Sequence, residues 1–105
     1  MVEYVEYKGQ RYPFVYDYYA MSRMQGIKDE VKENELFDYL VYYSIESGCN
    51  LVDQPFTIKK GDKECEFTPK DAAFLIGSVG VEKIISMRDQ FIDDEAAGDV
   101  DDKKK

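Results

Sequence analysis

The sequence predicts an α+β fold, mainly α, with an N-terminal β-hairpin, a small bundle of about four helices and a second short hairpin. Residues 2–16 and 56–67 are rich in strand-forming residues and are each divided by a turn signal. Between and after them, apolar residues recur at helical spacing, bounded by capping residues and glycines. We expect one domain over residues 1–92 and a disordered acidic tail over residues 93–105.

The first hairpin is predicted to turn at residues 8–9. A two-residue loop there pairs Glu6 with Arg11 and Val5 with Tyr12. A three-residue loop ending at the glycine would reverse the two faces. We prefer the shorter loop because it separates charged from apolar side chains. Its apolar face then holds Val5, Tyr7, Tyr12 and Phe14.

Two helices are expected to follow this hairpin. Asp17 is a good N-cap for a helix of about two turns that ends at Gly26. After a charged connector, Asn34 is predicted to cap the helix ELFDYLVYYSIESG, with Gly48 as its end. This helix is apolar on nearly every side, so we expect it to be central. The residues expected to face solvent are Glu35, Asp38, Ser44 and Glu46.

The second hairpin is predicted over residues 56–67, with its turn at Gly61-Asp62. We expect Cys65 to be a buried small hydrophobe, in preference to a reactive thiol, because it shares a face with the apolar residues. The predicted pairs are Lys59 with Glu64, Ile58 with Cys65, and Phe56 with Phe67.

A strong helix start comes next. Thr68 is a good N-cap, Pro69 suits the first helical position, and Asp71 lies near the positive end of the helix dipole. We expect this helix to end near Gly77 and another to begin after Gly80. The last helix has an apolar stripe of Val81, Ile84, Ile85, Met87, Phe91 and Ile92.

The charge balance argues against several partners. The chain has 105 residues and a net charge of −8, so its surface repels the phosphates of nucleic acids and the surface of anionic membranes. We therefore expect neither as a partner. No run approaches the roughly 20 apolar residues of a membrane span. Met1 leads directly into VEYVEY without a basic or apolar leader, so we expect no signal peptide and a cytoplasmic protein.

Residues for catalysis or metal binding are scarce. There is no histidine, which removes the commonest general base and metal ligand. Cys49 and Cys65 alone cannot form a structural zinc site. We therefore expect a protein that is not an enzyme and has no metal or cofactor.

Aromatic residues are the most informative feature. Nine Tyr and six Phe indicate both core packing and a protein interface, since tyrosine is enriched at interfaces. The stretch RYPFVYDYY divides at Asp17: Tyr12, Phe14 and Tyr16 lie on one strand face, and the later tyrosines open a helix. The predicted partner-binding residues are Tyr12, Tyr16, Tyr18, Tyr19 and Tyr42.

This order of elements resembles the tail assembly chaperones of long-tailed bacteriophages and related prophages, over about residues 2–92. Those small acidic proteins often begin with a hairpin of the type G-K-x-Y-P, matched here by Lys8, Gly9, Tyr12 and Pro13. They often start a late helix with (L/F)T-x-E-D, matched here by Phe67, Thr68, Lys70 and Asp71.

The resemblance implies a non-enzymatic protein of the host cytoplasm that acts in virion morphogenesis. Its implied partners are the tape-measure protein and tail-tube subunits, and a homo-oligomer is compatible with it. Two alternatives stay open: an acidic regulatory or inhibitory module that binds a protein, and a small structural subunit of a phage particle.

Overall fold

The computed structural model describes residues 2–104, with side chains described for residues 2–93. Within that part of the chain, two β-hairpins and four helices confirm the predicted α+β, mainly α, class. In chain order they are β1 (Glu3–Tyr7), β2 (Gln10–Phe14), α1 (Tyr18–Ile27), α2 (Glu33–Leu51), β3 (Thr57–Lys60), β4 (Lys63–Glu66), α3 (Pro69–Val79) and α4 (Val81–Lys104).

The first hairpin has the predicted register. Val5 is opposite Tyr12, and Glu6 is opposite Arg11. The turn residue Lys8 has φ 52° and the next residue, Gly9, has φ 74°, the left-handed pair that matches the twist of a tight hairpin. The four side chains of the predicted apolar face, Val5, Tyr7, Tyr12 and Phe14, are all buried.

The end of β2 crosses the central helix α2 at one glycine. A Cβ atom at Gly48 would lie 2.6 Å from the carbonyl carbon of Pro13, a distance that real side chains do not adopt. Nearby, the N–H of Val15 donates a hydrogen bond to the carbonyl of Ser44 at 3.0 Å. The prediction that Gly48 ends the helix is wrong, since α2 continues to Leu51. Gly48 instead lets the two backbones meet.

Two other predictions for α2 are also wrong. Ser44 was expected to face solvent, but it is fully buried because the end of β2 lies against this part of the helix. The helix begins at Glu33 after Lys32, whose backbone is extended and whose side chain makes no capping hydrogen bond. Asn34 therefore lies inside the first turn. There Glu33 and Glu35 meet the positive end of the helix dipole, which offsets the missing cap.

The predicted cap of α1 is confirmed and has a second contact. One carboxylate oxygen of Asp17 accepts the N–H of Ala20 at 3.2 Å, and the other accepts the hydroxyl of Ser47 at 2.6 Å. Because Ser47 belongs to α2, the cap also joins the two helices. The helix extends to Ile27, one residue beyond Gly26.

The second hairpin also has the predicted pairs. Ile58 is opposite Cys65, Lys59 is opposite Glu64, and the N–H of Phe67 donates to the carbonyl of Phe56 at 3.3 Å. Ile58 is buried, whereas Cys65 is only half-buried, contrary to expectation. The difference arises because Cys65 lies on β4, whose other residues are exposed to solvent.

A capping box begins α3 and connects it to the second hairpin. The carboxylate of Asp71 accepts the backbone N–H of Thr68 at 2.9 Å and its hydroxyl at 2.8 Å. Its other oxygen lies 3.1 Å from the Nζ of Lys60 on β3. Burial raises the pKa of Asp71, but the hydrogen bonds from Thr68 and the pairing with Lys60 outweigh burial and lower it overall.

The last helix begins after Gly80, as predicted, but the end of α3 and the apolar stripe of α4 differ from expectation. α3 passes through Gly77 and ends at Val79, before Gly80 with φ 96°. In α4, Ile84 and Met87 are buried, but the predicted stripe is exposed at its ends, Val81 and Ile92. α4 includes residues beyond 93, whose side chains lie outside the described part. The disorder predicted for residues 93–105 stays a prediction.

One core joins these elements, as the central position of α2 requires. α2 contacts α1, α3 and β2, which confirms that it has neighbours on several sides. The largest fully buried side chains are Tyr12, Phe14, Phe67, Ile45, Leu75 and Ile84.

The crossing at Gly48 predicts an unusual response to alanine. Alanine normally favours a helix over glycine by about 1 kcal/mol. At Gly48, however, we expect Gly48→Ala to reduce the free energy of unfolding by about 1–3 kcal/mol, because the added Cβ overlaps the backbone of β2. Urea denaturation followed by circular dichroism measures the change.

Gly77→Ala is the matched control, since nothing lies within 4 Å of a Cβ built there. It should raise the free energy of unfolding by about 0.5–1 kcal/mol. Equal effects of the two substitutions would contradict the close crossing.

The capping box predicts a dependence of stability on pH. Because the pKa of Asp71 is lowered by folding, its ionised form adds stability above the unfolded pKa of about 4, and this is lost as pH falls further. Asp71→Asn should cost about 1–2 kcal/mol at pH 7 and clearly less near pH 3. Urea denaturation at both pH values tests this, with the exposed turn residue in Asp62→Asn as control. A cost that is unchanged at low pH would rule out the ionic contribution.

Candidate protein-binding surface

A series of aromatic ring contacts extends from the core towards the surface. The ring of buried Tyr12 lies 5.3 Å from that of Phe67, centroid to centroid. Phe67 lies 5.3 Å from Phe56, which in turn lies 5.1 Å from Tyr42 on α2. These separations are within the range of favourable aromatic pairs. The core packing therefore holds Tyr42 in place.

The outer rings of this series lie on one side of α2. The ring of Tyr42 is 5.1 Å from that of Tyr43, and Tyr39 is 6.0 Å from Tyr43. Positions 39, 42 and 43 have i, i+3 and i+4 spacing, which brings side chains together on a helix. All three tyrosines are partly exposed.

Tyr19 extends the surface onto α1. Its hydroxyl donates to Oε1 of Glu46 at 2.9 Å and accepts a hydrogen bond from Nε of Arg23 at 3.3 Å. The Arg23 guanidinium also lies 5.2 Å from the centroid of the Tyr19 ring, a cation–π distance. Tyr19 and Tyr43 line the same groove. We call the exposed set Tyr19, Tyr39, Tyr42 and Tyr43 the tyrosine face.

Two grooves flank Tyr19. The first has a volume of about 420 Å³ and runs beside Arg23 and Tyr43. The second, of about 350 Å³, lies between the start of α1 and the end of α2. The second groove is lined by Asp17, Tyr19, Glu46, Ser47, Asn50 and Leu51.

The electrostatics of the tyrosine face favour binding by neutral hydroxyls. Burial first, and then the carboxylate of Glu46, raise the pKa of Tyr42. Burial also raises the pKa of Tyr43, and Glu46 contributes to it, although Arg23 acts in the opposite direction. These hydroxyls stay protonated at neutral pH, so they can donate hydrogen bonds beside apolar ring faces. Such a surface suits protein recognition.

The five predicted contact residues have different positions. Tyr12 is only 1% exposed, so its prediction as a contact is corrected: its ring packs in the core. Tyr16 is half-buried and lines a separate groove that includes two methionines of α1. Tyr18 is 80% exposed. Tyr19 and Tyr42 belong to the tyrosine face, so the structure brings these two together.

Several residues of this surface are not among the predicted contacts. Tyr39 and Tyr43 were placed on the central helix without a role, although their spacing from Tyr42 indicates a shared side. Glu46 was assigned only to solvent. Leu51 lies beyond the helix end predicted at Gly48, although α2 includes it.

The described residues offer little for other kinds of site. Among them, no group of three or more histidine, cysteine or acidic residues is placed to hold a metal ion. None of the helices in this part of the chain has the length and apolar content needed to cross a bilayer. The ring contacts of the tyrosine face and the two grooves beside Tyr19 define the candidate site.

The two thiols should differ in reactivity. Cys49 is buried, and burial followed by the charge of Glu46 raises its pKa to about 11. Cys65 is half-buried. We expect an aromatic disulfide reagent at pH 8 to modify Cys65 quickly in the native protein and Cys49 only after unfolding. Cys65→Ser should remove the fast phase and Cys49→Ala should keep it; a fast phase that survives Cys65→Ser would contradict this assignment.

Comparison of the chain with models of known protein families, with curated proteins and with solved structures found no match.

Proposed function

We propose that this protein is a non-enzymatic tail assembly chaperone of a phage or prophage, and that it binds the tape-measure protein during tail morphogenesis. The observation that carries the proposal is the tyrosine face, where Tyr42 packs on Phe56 and Tyr43, and Tyr19 lines two grooves. Aromatic surface of this kind is typical of protein-binding sites. Tail-tube subunits are a second class of partner.

In the proposed mechanism, the tyrosine face covers an apolar segment of the partner that would otherwise aggregate. The face runs along α2 and across to α1, so the most suitable partner segment is an amphipathic helix. The chain's net charge of −8 would keep the complex soluble in the host cytoplasm.

Co-expression tests the proposal directly. The tape-measure protein encoded by the same phage or prophage should become more soluble when this chain is present, and the two should co-purify. If the tape-measure protein stays as insoluble as before and no complex forms, the proposal is wrong. Detection of the chain in purified particles by mass spectrometry would favour the structural-subunit alternative.

A pair of surface substitutions locates the binding surface. Tyr18 and Phe74 are 80% and 60% exposed, so changing either to serine should hardly alter stability. Tyr18 is a predicted contact and directly precedes Tyr19 of the tyrosine face, so we expect Tyr18→Ser to weaken partner binding roughly fivefold to thirtyfold. Phe74→Ser on α3 is the matched control and should have little effect. A larger loss with Phe74→Ser would place the binding surface on α3. Isothermal titration calorimetry measures both affinities.

A further inference from the structure

We infer that the second groove, lined by Tyr19, Glu46 and Leu51, binds a basic side chain of the partner. Arg23 of this protein competes with that side chain for the ring of Tyr19. This inference rests on the proposed function and adds the chemistry of the partner: a cationic amphipathic segment with an apolar residue next to a lysine or arginine. The contacts of Tyr19, the charges of the groove and the position of Leu51 carry the inference.

The groove has the composition that a cationic segment requires. Among the described residues that line it, Asp17 and Glu46 carry carboxylates and none carries a positive charge. Leu51, which is 59% exposed, supplies an apolar wall, and Tyr19 supplies a ring. A lysine or arginine has an apolar stem and a charged head, so it can use both kinds of surface at once.

Arg23 shows the geometry that such a cation would adopt. Its guanidinium lies 5.2 Å from the centroid of the Tyr19 ring, and Tyr19 in turn donates to Glu46 at 2.9 Å. Tyr19 therefore already contacts both a cation and a carboxylate of the protein itself. Arg23 lines the neighbouring groove, so a partner cation in the groove with Leu51 would approach the same tyrosine.

Competition by Arg23 has a measurable consequence. While Arg23 contacts Tyr19, the positive charge of Arg23 repels an incoming cation. The partner cation can take the place beside the Tyr19 ring only when Arg23 moves away from it. Removing the Arg23 charge should therefore strengthen binding of a basic segment, even though it removes a contact in the free protein. A purely structural Arg23–Tyr19 contact would not have this effect.

Designed peptides test the inference without the natural partner. Three fluorescein-labelled helical peptides of about five turns combine leucine with lysine, with glutamine or with glutamate. Fluorescence anisotropy should show the tightest binding for the leucine–lysine peptide, with an affinity that falls as salt is added. Glu46→Gln and Leu51→Ser should each weaken this binding roughly twofold to fivefold, whereas Arg23→Gln should strengthen it by a similar factor.

Arg11→Gln is the matched control for Arg23→Gln. Arg11 makes the same kind of contact, since its guanidinium lies 4.0 Å from the centroid of the Tyr4 ring on the first hairpin. Both substitutions change the net charge equally, but Arg11 does not line either groove. If the two substitutions strengthened binding equally, the change in net charge alone would explain the effect, and the inference would be overturned. Thermal unfolding of every variant verifies that the fold is retained.

Other outcomes would assign a different occupant and overturn the inference. Tightest binding of the leucine–glutamate or leucine–glutamine peptide would show that the groove does not select a cation. Self-association that Glu46→Gln abolishes would indicate that a second copy of the chain occupies the groove.

The inference and the proposed function can fail separately. If the tape-measure protein binds equally well to wild type, Glu46→Gln and Arg23→Gln, the chaperone role stands and the cation site fails. If the peptides behave as expected but the tape-measure protein neither binds nor becomes more soluble, the cation site stands and the proposed partner is wrong.

Discussion

The contact between Gly48 and the end of β2 is the constraint on which the rest of the structure depends. It brings the first hairpin against the middle of α2, so that Tyr12 and Phe14 enter the core. The chain then leaves β2 beside α2 and reaches Asp17, whose carboxylate binds both α1 and Ser47. The position of α1 on α2, and with it the pairing of Tyr19 with Glu46, follows from that crossing.

The tyrosine face is built outward from the core that this crossing creates. Its inner ring, Tyr42, packs on Phe56 and Phe67, which the second hairpin holds in place. The link between Lys60 and Asp71 fastens that hairpin to α3. An isolated two-stranded hairpin is only marginally stable, and each of these two hairpins is stabilised by its contact with a helix. The surface proposed to bind a partner is a direct extension of the same packing.

Local patterns predicted both hairpins and the cap of α3, because strand alternation, turn residues and capping boxes are set by near neighbours. A glycine that ends a helix and one that lets another backbone segment approach look alike in sequence, so the pattern alone does not show that Gly48 lies inside α2. Ser44 is buried by the end of β2, and the sequence of α2 alone does not show which segment covers it. The burial of Tyr12 agrees with its place on the predicted apolar strand face, and it rules out the prediction of Tyr12 as a contact. Tyr19 and Tyr42 both lie on the tyrosine face, and their role as partner contacts stays a prediction. Arg23 follows Tyr19 by four residues on α1, a spacing that the sequence shows, whereas the pairing of Tyr19 with Glu46 depends on the packing of α1 on α2.

The chain of aromatic contacts that joins Tyr12 to Tyr39 has a consequence for the thermodynamics of recognition. A flexible side chain that becomes fixed in an interface costs about 0.5–1.5 kcal/mol in lost conformational entropy. Tyr42 and Tyr43 are already restrained by ring neighbours in the unbound protein. Much of their rotational freedom has therefore been lost during folding, before a partner arrives. Binding at these rings should carry a small entropic penalty, in contrast to binding at the exposed ring of Tyr18.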